Sequence, residues 1–116
     1  MTNVRTLSTD ELRQRLDAGK GLQVWNVQTD QFFSGELIPH SRHVSLDTIE
    51  GQAAGTAKEA EIVTYCGGPQ CPQSQDAARR LMDLGYTNVH AYTEGLEGWK
   101  AAGHGIVQVP QATTAG

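Results

Sequence analysis

Hydrophobic and polar positions follow a helical period at the start of the chain. In LSTDELRQRL, Leu12 and Leu16 are four residues apart and therefore fall on one face of a helix. Ser8 and Glu11 have the spacing of a capping box, and Leu7 with Leu12 have that of a hydrophobic staple. The pattern predicts that the first helix begins immediately after Ser8.

Three short runs further along are rich in β-branched and aromatic residues, which is typical of buried strands. They are GLQVWNV, EIVTY and NVHAY, and the segments between them carry helical signals and Gly-rich turns. Residues 47–59 have few apolar anchors and predict no clear element. The order predicted after the first helix is strand 21–27, short helix 29–35, strand 43–45, strand 62–65, helix 72–84, strand 88–92 and helix 94–103.

Strands that alternate with helices predict an α/β fold with a central parallel sheet and helices on both faces. In such sheets, ligands bind beyond the carboxyl ends of the strands. Cys66 directly follows the clearest predicted strand, so we expect it at that edge.

Length and charge narrow the class of protein. A chain of 116 residues has the length of one domain, with a core over about residues 7–107 and a flexible tail over 108–116. The net charge of −4 argues against nucleic-acid or membrane partners, which favour basic surfaces. The first residues lack the apolar core of a signal peptide, so we expect a cytoplasmic location.

The segment CGGPQCPQS joins the strand that ends at Tyr65 to the next helix and holds both cysteines of the chain. Gly67 and Gly68 allow a close backbone turn, and a helix N-terminus stabilises anions and lowers the pKa of a nearby thiol. On this basis Cys66 is a candidate nucleophile with a lowered pKa. An equally open interpretation is that Cys66 is a small buried residue at a strand end.

Metal binding is the obvious alternative for two cysteines and four histidines. Four residues separate Cys66 from Cys71, which is wider than the C-x2-C spacing of structural zinc sites. We therefore expect no metal and no cofactor.

Several motifs together resemble a rhodanese-like domain. After the Cys loop, that family shows Ser, two alanines, Leu, Gly-Tyr, Asn-Val, a strand and a helix with Gly and Trp. The earlier segment VWNVQTDQFFSGELIPHSRHV resembles the family's Asp-Val-Arg strand, its Phe/Tyr-bearing helix and its Ile-Pro-Gly-Ala turn. The matching residues of the second half are Ser74, Ala77, Ala78, Leu81, Gly85, Tyr86, Asn88, Val89, Gly95 and Trp99.

The resemblance implies a sulfurtransferase. The loop cysteine of rhodaneses takes a sulfane sulfur from a small-molecule donor such as thiosulfate, holds it as a persulfide and passes it to a thiol or cyanide. Carried over, this role falls to Cys66. The loop positions implied to bind the sulfur and the donor are Gly67, Gly68, Gln70, Cys71, Gln73 and Ser74.

Two departures concern charge. Asn26-Val27-Gln28 stands where the family has Asp-Val-Arg, so an acid and a base are lost together. Gln73 stands where the family's loop carries Arg or Lys, which counts against the phosphatase branch because that branch binds phosphate through a loop Arg. Arg42 and Phe33 are further candidates for the pocket, Arg42 as a contact for an anionic donor.

A third departure is a longer loop, which gives a Cys-x-Gly-Pro-x-Cys pattern that resembles a subgroup of rhodanese-like domains. Cys71 is either a second thiol that resolves the persulfide at Cys66 or a spectator. The alternative to an enzyme is a rhodanese-like module that binds a partner, or senses thiol redox state, through Cys66 and Cys71.

Overall fold

A five-stranded parallel sheet forms the centre of the protein. The computed structural model describes residues 4–18, 21–68 and 70–108. The strand order is β1-β6-β5-β2-β4, and every pair of neighbours is parallel, as the α/β pattern predicts. The strands of this sheet are β1 (Arg5–Thr6), β2 (Gln23–Asn26), β4 (Ser41–His43), β5 (Ile62–Tyr65) and β6 (Val89–Tyr92).

Helices cover both faces of this sheet and divide the core in two. On one face, the helices contribute Ile49 and Leu81 to a cluster around Trp25. On the other face, Leu12 and Trp99 pack against Tyr65 and its neighbours. The helices are α1 (Thr9–Ala18), α2 (Ile49–Ala53), α3 (Gln73–Asp83) and α4 (Gly95–Ala101).

The start of α1 confirms the predicted capping box. The backbone N–H of Glu11 donates to Ser8 Oγ at 3.1 Å, and the Ser8 N–H donates to Glu11 Oε1 at 2.8 Å. These bonds satisfy amides that have no partner within the helix. Leu7 and Leu12 are buried on the same face of the sheet, as expected.

The predicted helix over 29–35 is wrong. The Phe33 N–H donates to the Thr29 carbonyl at 3.0 Å, so one helical turn forms. The chain then reaches Gly35, at φ +91°, and enters β3 (Glu36–Leu37). A single turn gains too few hydrogen bonds to offset the cost of helix nucleation.

Two further segments differ from prediction. The strand predicted over 43–45 is β4, two residues earlier, because Ser41 to His43 pair with β2. Within 47–59, Ile49 and Ala53 are fully buried four residues apart and anchor α2, next to a 3₁₀ turn over Leu46–Thr48. Both outcomes depend on tertiary partners that a local pattern does not contain.

A small antiparallel pair completes the structure. In it, β3 pairs with β7 (Val107–Gln108). The expected tail lies almost wholly outside the described residues. Within the described ranges, no helix is long and apolar enough to cross a lipid bilayer.

Candidate active site

Cys66 lies at the carboxyl edge of the sheet, directly after β5, as the strand pattern predicts. Its side chain is only 1% exposed. One strand residue, Thr64, donates from Oγ1 to the Ser74 carbonyl at 2.7 Å and so fastens the first turn of α3 to the strand. The two ends of the cysteine loop are therefore held together.

The start of α4 supports the same loop from the other side. The Leu96 N–H donates to the Cys66 carbonyl at 3.0 Å, and the Glu97 N–H donates to the Gly67 carbonyl at 2.9 Å. Gly95, at φ +64°, makes this approach possible, because a Cβ there would lie 2.4 Å from the Cys66 carbonyl oxygen. Gly95 is thus a residue that the loop requires.

Side chains press against both glycines that follow Cys66. A Cβ on Gly68 would lie 2.7 Å from the carboxyl carbon of Glu97, and one on Gly67 would lie 3.1 Å from Gln28 Nε2. These glycines therefore let the ends of two side chains from outside the loop approach its backbone closely.

The Cys66 thiol is held in its protonated form. Its Sγ donates to the Cys71 carbonyl at 3.4 Å. Burial first, and then the neighbouring Cys71 thiol, raise the pKa of Cys66 to about 11, although the Ser74 backbone amide opposes this rise. The expectation of a lowered pKa is wrong for this arrangement, because burial and the Cys71 thiol outweigh the Ser74 amide at the helix end.

Ser74 is fully buried beside Cys66, in the first turn of α3. Its hydroxyl makes no hydrogen bond within the described residues, yet it is close enough to Cys66 to lower the pKa of the thiol. A buried hydroxyl without a partner is costly, so one in this position calls for an explanation.

A cavity of about 430 Å³ opens over the loop. This volume suits a small molecule. Five of the loop positions predicted from the resemblance line it, whereas Cys66 and Ser74 are buried and are not among its lining residues. The lining residues are Gln28, Phe32, Gly67, Gly68, Gln70, Cys71, Pro72, Gln73 and Glu97.

Arg42 and Phe33 are not among the residues that line this cavity. The Arg42 guanidinium lies 5.2 Å from the centroid of the Trp25 ring, and Phe33 stacks on His43 with ring centroids 3.8 Å apart. Phe32 lines the cavity instead and is 60% exposed. Which of two adjacent phenylalanines faces a site depends on the turn that carries them, and that turn was mispredicted as a helix.

Neutral amides occupy the two positions where the family carries an acid and a base. Asn26 is buried, and its Nδ2 donates to Gln28 Oε1 at 3.1 Å. Its Oδ1 accepts from the Gln28 backbone N–H at 2.9 Å. The two side chains therefore remain in contact and are satisfied without charge.

Three residues line the cavity without having been named or noted in the sequence analysis of the site: Phe32, Pro72 and Glu97. Glu97 reaches the cavity only because α4 packs against the Cys66 loop, which lies about 30 residues earlier in the chain. A local pattern contains no signal for such a contact. Gln28 was noted as a departure from the family and proves to be part of the wall.

Comparison with known proteins shows the family to which this chain belongs. The model of the rhodanese-like domain family matches residues 8–102, so the chain belongs to that family. Among curated relatives, the thiosulfate sulfurtransferase GlpE of Coxiella burnetii is 24% identical over 82 residues, which cover 71% of this chain and 75% of the relative.

Solved structures share the fold. A crystal structure of a Bacillus halodurans protein matches with a TM-score of 0.81 at 24% identity, over 90% of this chain and 77% of that one. A thiosulfate sulfurtransferase from Pseudomonas aeruginosa matches with a TM-score of 0.75 at 20% identity; the match covers 97% of this chain and 21% of that one. At these identities the likeness concerns the fold.

Proposed function

We propose that this protein is a sulfurtransferase that carries a sulfane sulfur on Cys66 as a persulfide. The observation that carries the proposal is the position of Cys66 at the carboxyl edge of the sheet, at the start of a loop that lines a cavity sized for a small molecule. Membership of the rhodanese-like family supports it, as does the likeness to a thiosulfate sulfurtransferase.

In the first step, the Cys66 thiolate attacks the outer sulfur of a donor such as thiosulfate. A new S–S bond forms to Cys66, the donor's S–S bond breaks, and sulfite leaves with the electron pair. In the second step, an acceptor thiolate or cyanide attacks the outer sulfur of the persulfide. Cys66 then leaves as the thiolate, and the cycle closes without an oxidant.

Resting Cys66 needs activation before the first step. With a pKa of about 11, only about one molecule in 10⁴ holds the thiolate at pH 7. Rotation of the Cys71 carbonyl away from the sulfur would remove the acceptor that favours the thiol. The Ser74 amide and its unpartnered hydroxyl are the donors that would then stabilise the negative sulfur.

The direct test is intact-mass spectrometry of the reduced protein after incubation with thiosulfate and, separately, with inorganic polysulfide. We expect wild type and Cys71→Ala to gain about 32 Da, the mass of one sulfur, and Cys66→Ala to gain none. If wild type stays unmodified with both donors, the proposal is overturned.

One observation favours a second candidate, a thiol-redox module. Cys71 lines the cavity, and its thiol is close enough to Cys66 to raise the pKa of Cys66. A Cys71 thiolate that attacks the inner sulfur of a Cys66 persulfide would release hydrosulfide and leave a Cys66–Cys71 disulfide. The Cys-x-Gly-Pro-x-Cys subgroup fits this chemistry. The same spectra would show it as a loss of about two hydrogens in wild type that Cys71→Ala abolishes.

A further inference from the structure

The cavity beside Cys66 has an acidic wall. Among its lining residues, three contribute neutral side-chain amides and Glu97 contributes a carboxylate. Within the described part of the chain, no lysine or arginine lines it. A dianion such as thiosulfate would meet a negative charge here, with no side-chain cation to offset it.

Glu97 is held close to the reactive loop. Its backbone N–H donates to the Gly67 carbonyl at 2.9 Å, and its carboxyl carbon lies 2.7 Å from the point where Gly68 would carry a Cβ. Among the described residues, no ion pair includes this carboxylate. The basic residue of α4, Lys100, pairs with Glu36 instead, with 3.0 Å between Lys100 Nζ and Glu36 Oε1. The carboxylate is therefore free to meet a cation in the cavity.

The mouth of the cavity extends this negative surface. A second depression shares Phe32 and Gln73 with the first and adds the carboxylates of Asp30 and Asp47. Phe32 is 60% exposed where the two meet. An aromatic face beside carboxylates favours an organic cation through cation–π and charge attraction.

We propose that the organic thiol that exchanges sulfur with Cys66 is an aminothiol, whose ammonium group is recognised by Glu97. This inference rests on the proposed function. The aminothiol thiolate attacks the outer sulfur of the protonated Cys66 persulfide, the inner S–S bond breaks, and Cys66 leaves as the thiolate. The product is the aminothiol persulfide, and the reverse reaction would load Cys66 from it.

The test compares three acceptors of similar size that differ in charge. Wild type and Glu97→Gln are loaded with inorganic polysulfide, desalted, and reacted in single turnover with cysteamine, 2-mercaptoethanol or thioglycolate. Mass spectrometry follows the loss of the extra sulfur from Cys66. For each thiol, the wild-type rate is divided by the Glu97→Gln rate, so that the intrinsic reactivity of that thiol cancels.

For cysteamine we expect Glu97→Gln to be about two- to fivefold slower, as for the loss of a partly exposed charge pair. The 2-mercaptoethanol rate should not change, and the thioglycolate rate should rise by a similar factor. Glu94→Gln removes the same charge from the start of α4, outside the cavity lining, and should leave all three ratios near one.

The outcomes separate the two proposals. If Cys66 loads with sulfur but Glu97→Gln changes all three rates alike, the aminothiol inference is overturned and the sulfurtransferase proposal stands. If Glu94→Gln reproduces the pattern of Glu97→Gln, the effect comes from overall charge and recognition by Glu97 is overturned. If Cys66 does not load with any donor, both proposals fall.

Discussion

The first turns of α1 and α3 use their free backbone amides in opposite ways. At α1, Ser8 and Glu11 exchange two hydrogen bonds and close the helix end. At α3, Pro72 occupies the cap position without a side-chain hydrogen bond, and the Ser74 amide acts on the Cys66 thiol instead. The closed helix end serves stability, whereas the open one leaves donors for a sulfur anion.

The same comparison explains why a helix N-terminus alone does not activate the thiol. Cys66 is buried, and its thiol donates a hydrogen bond to the Cys71 carbonyl. The Ser74 amide lowers the pKa of this thiol, but burial and the Cys71 thiol outweigh it. A buried, protonated thiol is less open to oxidation than an exposed thiolate.

The largest expected effect is the increase in the alkylation rate of Cys66 as the pH rises. Because its pKa is raised to about 11, the thiolate fraction should grow about tenfold per pH unit, or about a thousandfold between pH 7 and pH 10. Iodoacetamide alkylation of Cys71→Ala, which leaves Cys66 as the only thiol, measures this directly. A rate that levels off near pH 7 would show that the open amides of α3 already stabilise the thiolate.

The next largest effect is expected when the start of α4 can no longer approach the Cys66 loop. Gly95→Ala places a Cβ at φ +64°, 2.4 Å from the Cys66 carbonyl. We expect about 3 kcal/mol of destabilisation and strongly reduced persulfide loading, because the loop must move. Urea unfolding gives the first value and intact mass the second.

Gly55→Ala is the matched control for that variant. A Cβ at Gly55 meets no atom within 4 Å, so the free energy of unfolding should change by no more than about 0.5 kcal/mol. Equal destabilisation by the two variants would contradict the proposed role of Gly95.

The smallest effects are expected for the serines at the starts of α1 and α3, whose substitution should change different properties of the protein. Ser8→Ala removes the cap of α1 and should lower the free energy of unfolding by about 1 kcal/mol without slowing persulfide formation. Ser74→Ala removes a buried hydroxyl with no partner among the described residues, so stability should stay the same or rise by up to about 1 kcal/mol. Persulfide formation in Ser74→Ala should slow several-fold. If Ser8→Ala slows persulfide formation and Ser74→Ala lowers the free energy of unfolding, the two helix starts do not differ as proposed.

Local signals in the sequence were sufficient for much of the fold. Three signals each lie within a few residues of the element that they predict, and all three elements form as predicted. They are the capping box of Ser8, the β-branched run of β5 and Gly85 after α3. The position of Cys66 after β5 followed from the same pattern. Where one turn had to be distinguished from a short helix, as at Phe33, local signals failed.

The site needed the tertiary structure because its walls come from distant parts of the chain. Gln28, Phe32 and Glu97 meet around the Cys66 loop only after β2, β5 and α4 have assembled.

By itself, the sequence determined the longer elements β2, β5, β6, α1, α3 and α4 and the thiol at the sheet edge, because helix caps, turns and strand propensities act between neighbours. It did not predict the two-residue strands β1, β3 and β7 or the short helix α2, which form through contacts with distant parts of the chain. Only the tertiary structure decided the protonation of Cys66 and the acidic character of its cavity. Burial and charge at a point depend on every atom that packs around it, whatever its distance along the chain.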